Sequence, residues 1–532
     1  MHRKLTHFKR ITEEGSMASS TEFIPGRKRA PQSLGRVLVL GLGKSGRVAA
    51  QYCAALLGTR VDALYVAAGS ANDDARAFVE ELSASASCAD PCVCEFGDAA
   101  VPMLAKQAGG RFDLCIASPG SPYWAQLYQD AQAHSAEVVS EVEFAWRESA
   151  DSSVWVAITG TNGKTTTTSC CASLLSSAGM NAKAVGNIGD VCLKAVSEGN
   201  TDVYVAEVSS YQLASTRDFA PNVAVCLNIT PDHVHWHKTF EAYRDAKFKV
   251  LENLGKVPGS VAVLDASNDV VRAKVRQIKA VTTPERGYQY VPMGTSAGMS
   301  GDMRVACGSD NAAFITDEGM LVVAFDGKEH QLCRADELKI HGLHNASNAL
   351  AASVAAIVLG VSDDVVASAL RSFAPLEHRI EPCGSINGVA CFNDSKATNV
   401  DATLKALTAF PNARPIVLLG GDDKGTDLSD LVREVHRNAR AAVCFGAAAD
   451  RFLQAFSDNG TDQPEGFLLL SASNMEGALD AALDVAHSGD VVLLSPACAS
   501  FDEFHSFEER GTVFKHLVSE RSGVASAASD VR

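Results

Sequence analysis

The sequence predicts an α/β protein built from three parallel-sheet units. Three observations carry that expectation. The chain of 532 residues is long enough for about three or four domains at roughly 150 residues each. Short apolar runs alternate with helical stretches in three separate segments, the pattern of parallel strands covered by crossover helices. Glycine-rich turns follow the first strand of two of those segments, where parallel sheets place their phosphate-binding turns.

Composition narrows the class further. Hydrophobic residues make up 46% and charged residues 21%, which excludes disorder throughout, collagen-like repeats and low-complexity architecture. No run of about 18 apolar residues occurs, so no membrane-spanning helix and no membrane partner are expected. Lys and Arg number 47 against 63 Asp and Glu, a net charge of −16. That balance argues against a nucleic-acid partner but leaves phosphorylated substrates open, because local sites can be basic on an acidic body. Residues 1–30 hold seven basic and three acidic side chains, leaving 40 − 60 = −20 for the rest. Residues 1–34 are expected to form a disordered extension. They lack the continuous apolar stretch of a secretory signal. Fifteen cysteines are too dilute for a disulfide scaffold. They read as reduced thiols filling small core positions in a cytoplasmic protein.

The first unit, residues 35–149, opens on the strand Val37-Leu38-Val39-Leu40. Gly41-Leu42-Gly43-Lys44-Ser45-Gly46 follows and fits G-x-G-x-x-G. Alone it would indicate a nicotinamide dinucleotide. The next strand, however, ends in Ala67-Ala68-Gly69 where an acidic ribose ligand would stand. A nucleotide diphosphate would use the same helix N-terminus. Ser118-Pro119-Gly120 follows a strand over 113–117 and could supply a second phosphate-facing turn; by itself it is an ordinary β-turn.

The second unit, residues 150–375, opens on a buried strand over 154–159. Thr159-Gly160-Thr161-Asn162-Gly163-Lys164-Thr165 then starts a helix that continues through Thr166. Glycines let backbone N–H groups approach phosphate oxygens, and the helix dipole favours an anion there. Lys164 would reach the β- and γ-phosphates, and the Thr165 hydroxyl would bind Mg²⁺. Ile158 stands where the standard motif has its first glycine, so this is a shortened phosphate loop. Glu207 ends a strand over 203–207, a position suited to Mg²⁺. Asp232-His233 follows a strand over 223–229, and Lys247 lies on a helix with Tyr243 and Arg244. His233, His235 and His237 alternate as zinc ligands on a strand would, but no Cys or fourth ligand accompanies them. Residues 285–335 read as a β-hairpin appendage, with strands 312–316 and 320–325 around Asp317-Glu318-Gly319. An Ala-rich helix over 345–359, ended by Gly360, follows.

The third unit, residues 376–532, begins with a hairpin around Asn387-Gly388. Strands over 415–419, 441–445, 467–470 and 491–494 then alternate with helices.

These residues resemble the Mur ligase family. In order they are the phosphate loop, Gly186-Asn187-Ile188-Gly189, Glu207-Val208-Ser209-Ser210-Tyr211-Gln212-Leu213, Asn228-Ile229-Thr230-Pro231-Asp232-His233, Leu343-His344-Asn345-Ala346-Ser347-Asn348 and Glu377-His378-Arg379. Asn393-Asp394-Ser395-Lys396-Ala397-Thr398-Asn399, Leu419-Gly420-Gly421-Asp422-Asp423-Lys424 and Ser495-Pro496-Ala497-Cys498-Ala499-Ser500 are similar to its D-glutamate-adding members. The resemblance runs over residues 35–520. It implies a Rossmann-like N-terminal UDP-binding domain, a central P-loop ATPase-like domain carrying the β-hairpin, and a Rossmann-like C-terminal amino-acid-binding domain.

The resemblance also implies roles. Gly41, Gly43, Lys44, Ser45, Gly46, Ser118, Gly120, Asn187 and Ser209 would bind the UDP-sugar substrate. Gly160, Thr161, Asn162, Gly163, Lys164, Thr165, Thr166, Asn345, Asn348, His378, Arg379, Asp394 and Lys396 would bind ATP. Thr165, Glu207, His233 and Lys247 would hold magnesium, with Lys247 carbamylated by CO₂. Thr398, Lys424, Ser500, Phe501 and Phe507 would receive D-glutamate. Lys164, Glu207, His233 and Lys247 would be the catalytic set. The implied reaction activates the carboxylate of UDP-N-acetylmuramoyl-L-alanine with ATP as an acyl phosphate. The D-glutamate amine then attacks, and a tetrahedral intermediate expels phosphate. A monomer serving peptidoglycan precursor synthesis is expected.

Three departures from the family pattern stand out. The usual acidic or threonine contact after the second strand of the uracil-binding domain is not recognisable at Ala67–Ser70. After His233 the family often has Leu-Asp-Arg-His, and Val234-His235-Trp236-His237 stands here. Phe501 replaces a common leucine and would narrow the glutamate pocket. Alternatives remain at this point: another Mur-type ligase or a folylpolyglutamate synthase-like amide ligase, a nucleotide-dependent switch without turnover, and a nicotinamide-dependent oxidoreductase.

Overall fold

The computed structural model describes residues 23–69, 71–85, 92–281, 283–295, 309–410, 413–423, 425–458 and 463–522. They fall into two compact units. One reaches to Arg334 and includes Ser347–Leu370; the other comprises Ala335–Ala346 and the chain from Arg371.

The first unit holds two sheets. The smaller has five parallel strands in the order Cys92–Phe96, Val61–Ala68, Gly35–Leu40, Leu114–Ala117, Val138–Ser140. Its first strand is central, as in a Rossmann-like half. Val37, Leu38, Val39 and Leu40 are wholly buried. Helices cover both faces of such a strand, which is why it reads as an unbroken apolar run rather than an alternating one.

The larger sheet has nine strands, in the order Lys328–Arg334, Met320–Phe325, Ala312–Ile315, Gln289–Thr295, Val261–Asp265, Val223–Cys226, Val154–Thr159, Val203–Glu207, Ala182–Gly186. The expected hairpin is present, since Ala312–Ile315 pairs antiparallel with Met320–Phe325. It is not a separate appendage. Ala312–Ile315 also pairs parallel with Gln289–Thr295, and Lys328–Arg334 adds a third antiparallel strand, so the hairpin continues the central sheet. The reason lies in Met320–Phe325: Leu321, Val322, Val323 and Ala324 are all buried, so both faces of that strand are covered.

The second unit carries a six-stranded sheet, in the order Glu381–Ile386, Val389–Asn393, Val491–Ala497, Ile416–Gly420, Ala441–Phe445, Leu468–Ser471. Only the first pair is antiparallel. It turns through Asn387 and Gly388 at φ 51° and 83°. Two successive left-handed residues make the tight turn that matches strand twist, which is why Asn-Gly marks it. All described cysteines are free, and most are buried.

Disorder through residue 34 does not hold for residues 23–34. Phe23 bridges to Pro31 and Arg27 to Ala150. The Lys28 N–H donates to Ser149 O at 3.0 Å, and Arg27 Nη1 donates to Glu148 O at 2.6 Å. The Glu148 side chain is fully buried and also takes the Arg60 guanidinium at 2.7 Å. A charge count treats Arg27 and Lys28 as solvated. Here the end of helix Glu141–Glu148 supplies carbonyls and a carboxylate to partner them.

The same helix carries a buried acid at its start. Glu141 is 2% exposed, and its Oε1 accepts the Leu193 N–H at 2.6 Å, at the start of helix Cys192–Glu198. Burial pushes its pKa from 4.5 up to about 7, with the Leu193 hydrogen bond opposing. A raised carboxyl pKa means that the charged form is disfavoured in the folded state. The resulting destabilisation is absent below pH 4.5, grows as pH rises, and is complete above about 7, where it amounts to roughly 3 kcal/mol. Thermal unfolding across pH tests this: Glu141→Gln should raise Tm above pH 7 and leave it little changed below pH 4.5. A pH-independent change would contradict the assignment.

Candidate active site

Strand Val154–Thr159 lies between Val203–Glu207 and Val223–Cys226, all parallel. Their carboxyl ends therefore bring the phosphate loop, Glu207 and the segment leading to Asp232-His233 to one edge of the sheet, where open α/β sheets bind ligands. Gly163, at φ 84°, caps helix Lys164–Ser177, and a Cβ there would collide with Asn348 Oδ1. Thr165 and Thr166 sit in the first turn of that helix.

The loop is braced from two sides. The Asn162 N–H donates to Asn228 Oδ1 at 2.9 Å, and Asn228 Nδ2 donates back to Asn162 O at 3.1 Å. The Thr161 hydroxyl accepts the Thr230 N–H at 3.0 Å and shares a hydrogen bond with the Tyr243 hydroxyl at 2.8 Å. Lys164 Nζ curls back to donate to Gly160 O and Thr161 O at 2.9 and 2.8 Å.

Glu207 is 1% exposed. Its Oε1 accepts from Asn187 Nδ2 at 2.8 Å, whereas its Oε2 is buried without a hydrogen-bond partner. Lys247 is 2% exposed, and its Nζ donates to Gly160 O at 2.6 Å. Burial, reinforced by Lys164, holds that amine well below its ordinary range. An orphaned buried carboxylate oxygen is costly and calls for a cation. Among the described residues no three His, Cys, Asp or Glu side chains form a ready-made metal cage. The donor set therefore suits a magnesium ion that completes its shell with phosphate oxygens, water and hydroxyls.

The alternating histidines do not act together. Val234–His237 is a helical turn rather than a strand, so residues two apart leave different faces. His235 is exposed, while His237 is buried with Nε2 2.9 Å from Ser210 Oγ. Burial, with help from His233 and Lys247, lowers the His237 pKa to about 4 and keeps it neutral. His233 stands apart, at φ 54°, with Nδ1 2.7 Å from the Tyr211 hydroxyl.

The N-terminal glycine turn is built as its motif requires. Gly41 has φ 89°, and a Cβ on Gly46 would strike the Gly41 carbonyl, so strand and helix can pack this closely only with glycine there. Lys44 Nζ donates to Gly189 O at 2.9 Å, and Ser45 Oγ lies 3.3 Å from Ser118 Oγ. Gly120 lies in the turn after Ser118. Ser209, expected at the substrate, places its hydroxyl in a reciprocal capping box with Gln212 at the start of helix Ser210–Ala214.

In the second unit Asp394 is buried, accepting from Ser495 Oγ at 2.8 Å and the Ile380 N–H at 3.2 Å. Burial pushes its pKa up to about 7, against the pull of Ser495 and of Arg379. His378, at φ 62°, has Nδ1 2.9 Å from Asn393 Nδ2, and Lys396 Nζ sits 3.6 Å above the Phe507 ring. Asn345 Nδ2 donates to His341 O at 2.7 Å. Thr398 is not a helix cap: Asn399 accepts the Ala402 N–H and caps Val400–Leu407. Ser500 is buried, but Phe501 is 70% exposed, so its ring does not narrow a pocket within this unit. Lys424 lies outside the described residues.

Two contributors are not assigned by the sequence reading. Tyr211 is the hydrogen-bond partner of His233. Arg510 is 1% exposed and donates to Ser395 Oγ, Ser395 O, Cys498 O and Ala499 O, tying the Asp394–Thr398 segment to the Cys498–Ser500 segment. The signal for Arg510 is faint: a helix that begins Phe507-Glu508-Glu509-Arg510-Gly511, with a glycine whose Cβ would strike His378.

The Mur ligase middle domain matches residues 158–356, and the Mur ligase, glutamate ligase domain matches residues 378–498. A UDP-N-acetylmuramoylalanine--D-glutamate ligase of Thermoanaerobacter sp. (strain X514) is 38% identical over 410 residues, covering 77% of this chain and 84% of that one. One of the same name from Pelotomaculum thermopropionicum is 36% identical over 485 residues, covering 91% and 97%. The fold is shared with the crystal structure of MurF ligase from Thermotoga maritima in complex with ADP, at TM-score 0.53 and 15% identity over 95% of this chain and 99% of that one. By these domain matches and by relatives more than one third identical over most of both chains, the protein belongs to the Mur ligase family.

Proposed function

We propose that the protein is an ATP-dependent ligase joining D-glutamate to UDP-N-acetylmuramoyl-L-alanine in peptidoglycan precursor synthesis. The observation that carries this reading is the buried Glu207, one oxygen unpartnered, at the strand end beside a braced phosphate loop and a buried Lys247. The relatives' shared name supplies the amino acid. Among the described residues no helix is long and apolar enough to cross a membrane. A cytoplasmic monomer, with no nucleic-acid partner, remains part of the proposal.

A carboxylate is a poor electrophile, and ATP converts it to an acyl phosphate with a good leaving group. The amine of D-glutamate attacks in its neutral form, and the tetrahedral intermediate collapses with loss of phosphate. Lys164 and the loop N–H groups offset charge that develops on the transferring phosphoryl group. Magnesium, held by Glu207, His233, Thr165 and a carbamylated Lys247, would draw phosphate and carboxylate oxygens together and offset their repulsion. A deprotonated Lys247 amine is the form that adds to CO₂, and the resulting carbamate supplies oxygens suited to a hard cation. Gly41–Gly46 and Ser118 would bind the UDP part. Arg379, Asp394 and Lys396 would border the nucleotide. Thr398, Lys424 and Ser500 would receive D-glutamate, and charge-assisted bonds would select its second carboxylate.

A panel of amino acids with UDP-N-acetylmuramoyl-L-alanine and ATP, followed by phosphate release and amide product, tests the assignment. D-glutamate should be the preferred acceptor. Turnover that ignores it would favour another Mur-type ligase or a folylpolyglutamate synthase-like activity, and nucleotide binding without product would favour a switch. Lys164→Ala should lower phosphate release by at least about a hundredfold. Near-normal turnover there would overturn the phosphate-loop role. Lys247→Ala should be similarly impaired and partly restored by short carboxylates, which return oxygens to the vacated space.

A further inference from the structure

The loop that bears His233 is held by aromatic packing that the family motif does not specify. Tyr211 is the second residue of helix Ser210–Ala214, which starts three residues after Glu207. Its ring centroid lies 4.6 Å from that of Trp236, at an interplanar angle of 30°, and 5.7 Å from that of His237, at 24°. Those two residues are themselves fixed. The Trp236 carbonyl accepts from Trp124 Nε1 at 2.9 Å, and the His237 carbonyl accepts from the Tyr123 hydroxyl at 3.0 Å. Trp236 is 9% exposed and packs edge-on against Tyr123 at 5.5 Å. The Tyr211 ring therefore has little freedom to swing.

The His233 side chain is 40% exposed, and its backbone sits in the left-handed region that glycine favours. Its ring packs against those of Tyr211 and Tyr243, with centroids 4.9 and 6.0 Å away. The Tyr211 hydroxyl lies 2.7 Å from Nδ1, and Nε2 lies 3.6 Å from Asp232 Oδ2. An imidazole can bind a cation only through an unprotonated nitrogen, and the hydrogen bond at the other nitrogen decides which one that is. A hydroxyl can donate to Nδ1 or accept from it, and with a cation on Nε2 the proton must sit on Nδ1, so the Tyr211 oxygen would then accept.

We infer that Tyr211 is a positioning residue: its hydroxyl oxygen accepts the Nδ1 proton of His233, fixing the ring and leaving the Nε2 lone pair available to a divalent cation. This rests on the proposed reading of His233 as a cation ligand. Trp236, standing where the family often has arginine, supports the Tyr211 ring from behind.

The test uses the full chain and Tyr211→Phe, which keeps the ring and its stacking and removes only the hydroxyl. Two readouts are needed: ¹⁵N spectra of histidine-labelled protein free of metal, and Mn²⁺ affinity in the presence of ADP by electron paramagnetic resonance. His233→Ala assigns the resonance and serves as the ligand control. The expected result is a single Nδ1–H tautomer for His233 in the parent protein, a mixture in Tyr211→Phe, and a roughly tenfold loss of Mn²⁺ affinity in that variant. Tyr211→Phe that matches the parent in tautomer or in affinity, while His233→Ala binds weakly, overturns the positioning role alone. His233→Ala that binds Mn²⁺ as tightly as the parent overturns the ligand reading itself.

Discussion

Glu207 ends its strand almost fully buried, with one oxygen on Asn187 and the other on nothing, while Lys247 buries its amine against the Gly160 carbonyl. Removing a carboxylate and an amine from water costs several kcal/mol each unless partners compensate. Folding alone leaves that compensation incomplete. The surrounding structure is what holds the arrangement in place. Asn162 and Asn228 exchange hydrogen bonds, Tyr243 meets Thr161, and helix Phe240–Phe248 presents Tyr243 and Lys247 one turn apart on the same face. These contacts fix the loop and both side chains in one arrangement, the kind of preorganisation that favours catalysis.

The acidic balance of the chain fits this picture. A protein of net charge −16 does not attract polyanionic substrates through its total charge. On the proposed reading, local devices would do so instead: glycine turns at helix N-termini, Lys164, and a cation drawn by Glu207. The second unit repeats the theme with a buried cation. Arg510 donates to three backbone carbonyls and the Ser395 hydroxyl, with its pKa lowered only to about 10, so it stays charged while tying two segments together.

Much of this was legible in the sequence where local chemistry decides. Val203–Glu207 and Ala441–Phe445 match their expected bounds because strands buried on both faces are short, apolar and sharply ended. Asn387-Gly388 announces its turn through backbone conformation alone. The misreadings involve partners distant in sequence. Residues 23–34 read as part of a disordered extension because Glu148 and the carbonyls that hold them lie far away in sequence. The hairpin at 312–325 looked separate because its pairing with Gln289–Thr295 has no local signature. Ser209 shows a partner close in sequence, because its hydroxyl is held in a capping box with Gln212, and the helix after Thr398 is capped by the neighbouring Asn399. Tyr211 and Arg510 gained meaning only from the three-dimensional neighbours they touch.

The proposed reaction requires the buried Lys247 amine to become a carbamate that completes a cation site beside Glu207. Carbon-13 spectra of the protein in ¹³C-bicarbonate test it directly. The expected result is a protein-bound carbamate signal that disappears in Lys247→Ala and strengthens with Mg²⁺ and ADP. A parent protein without that signal, or a signal that survives the substitution, would contradict it.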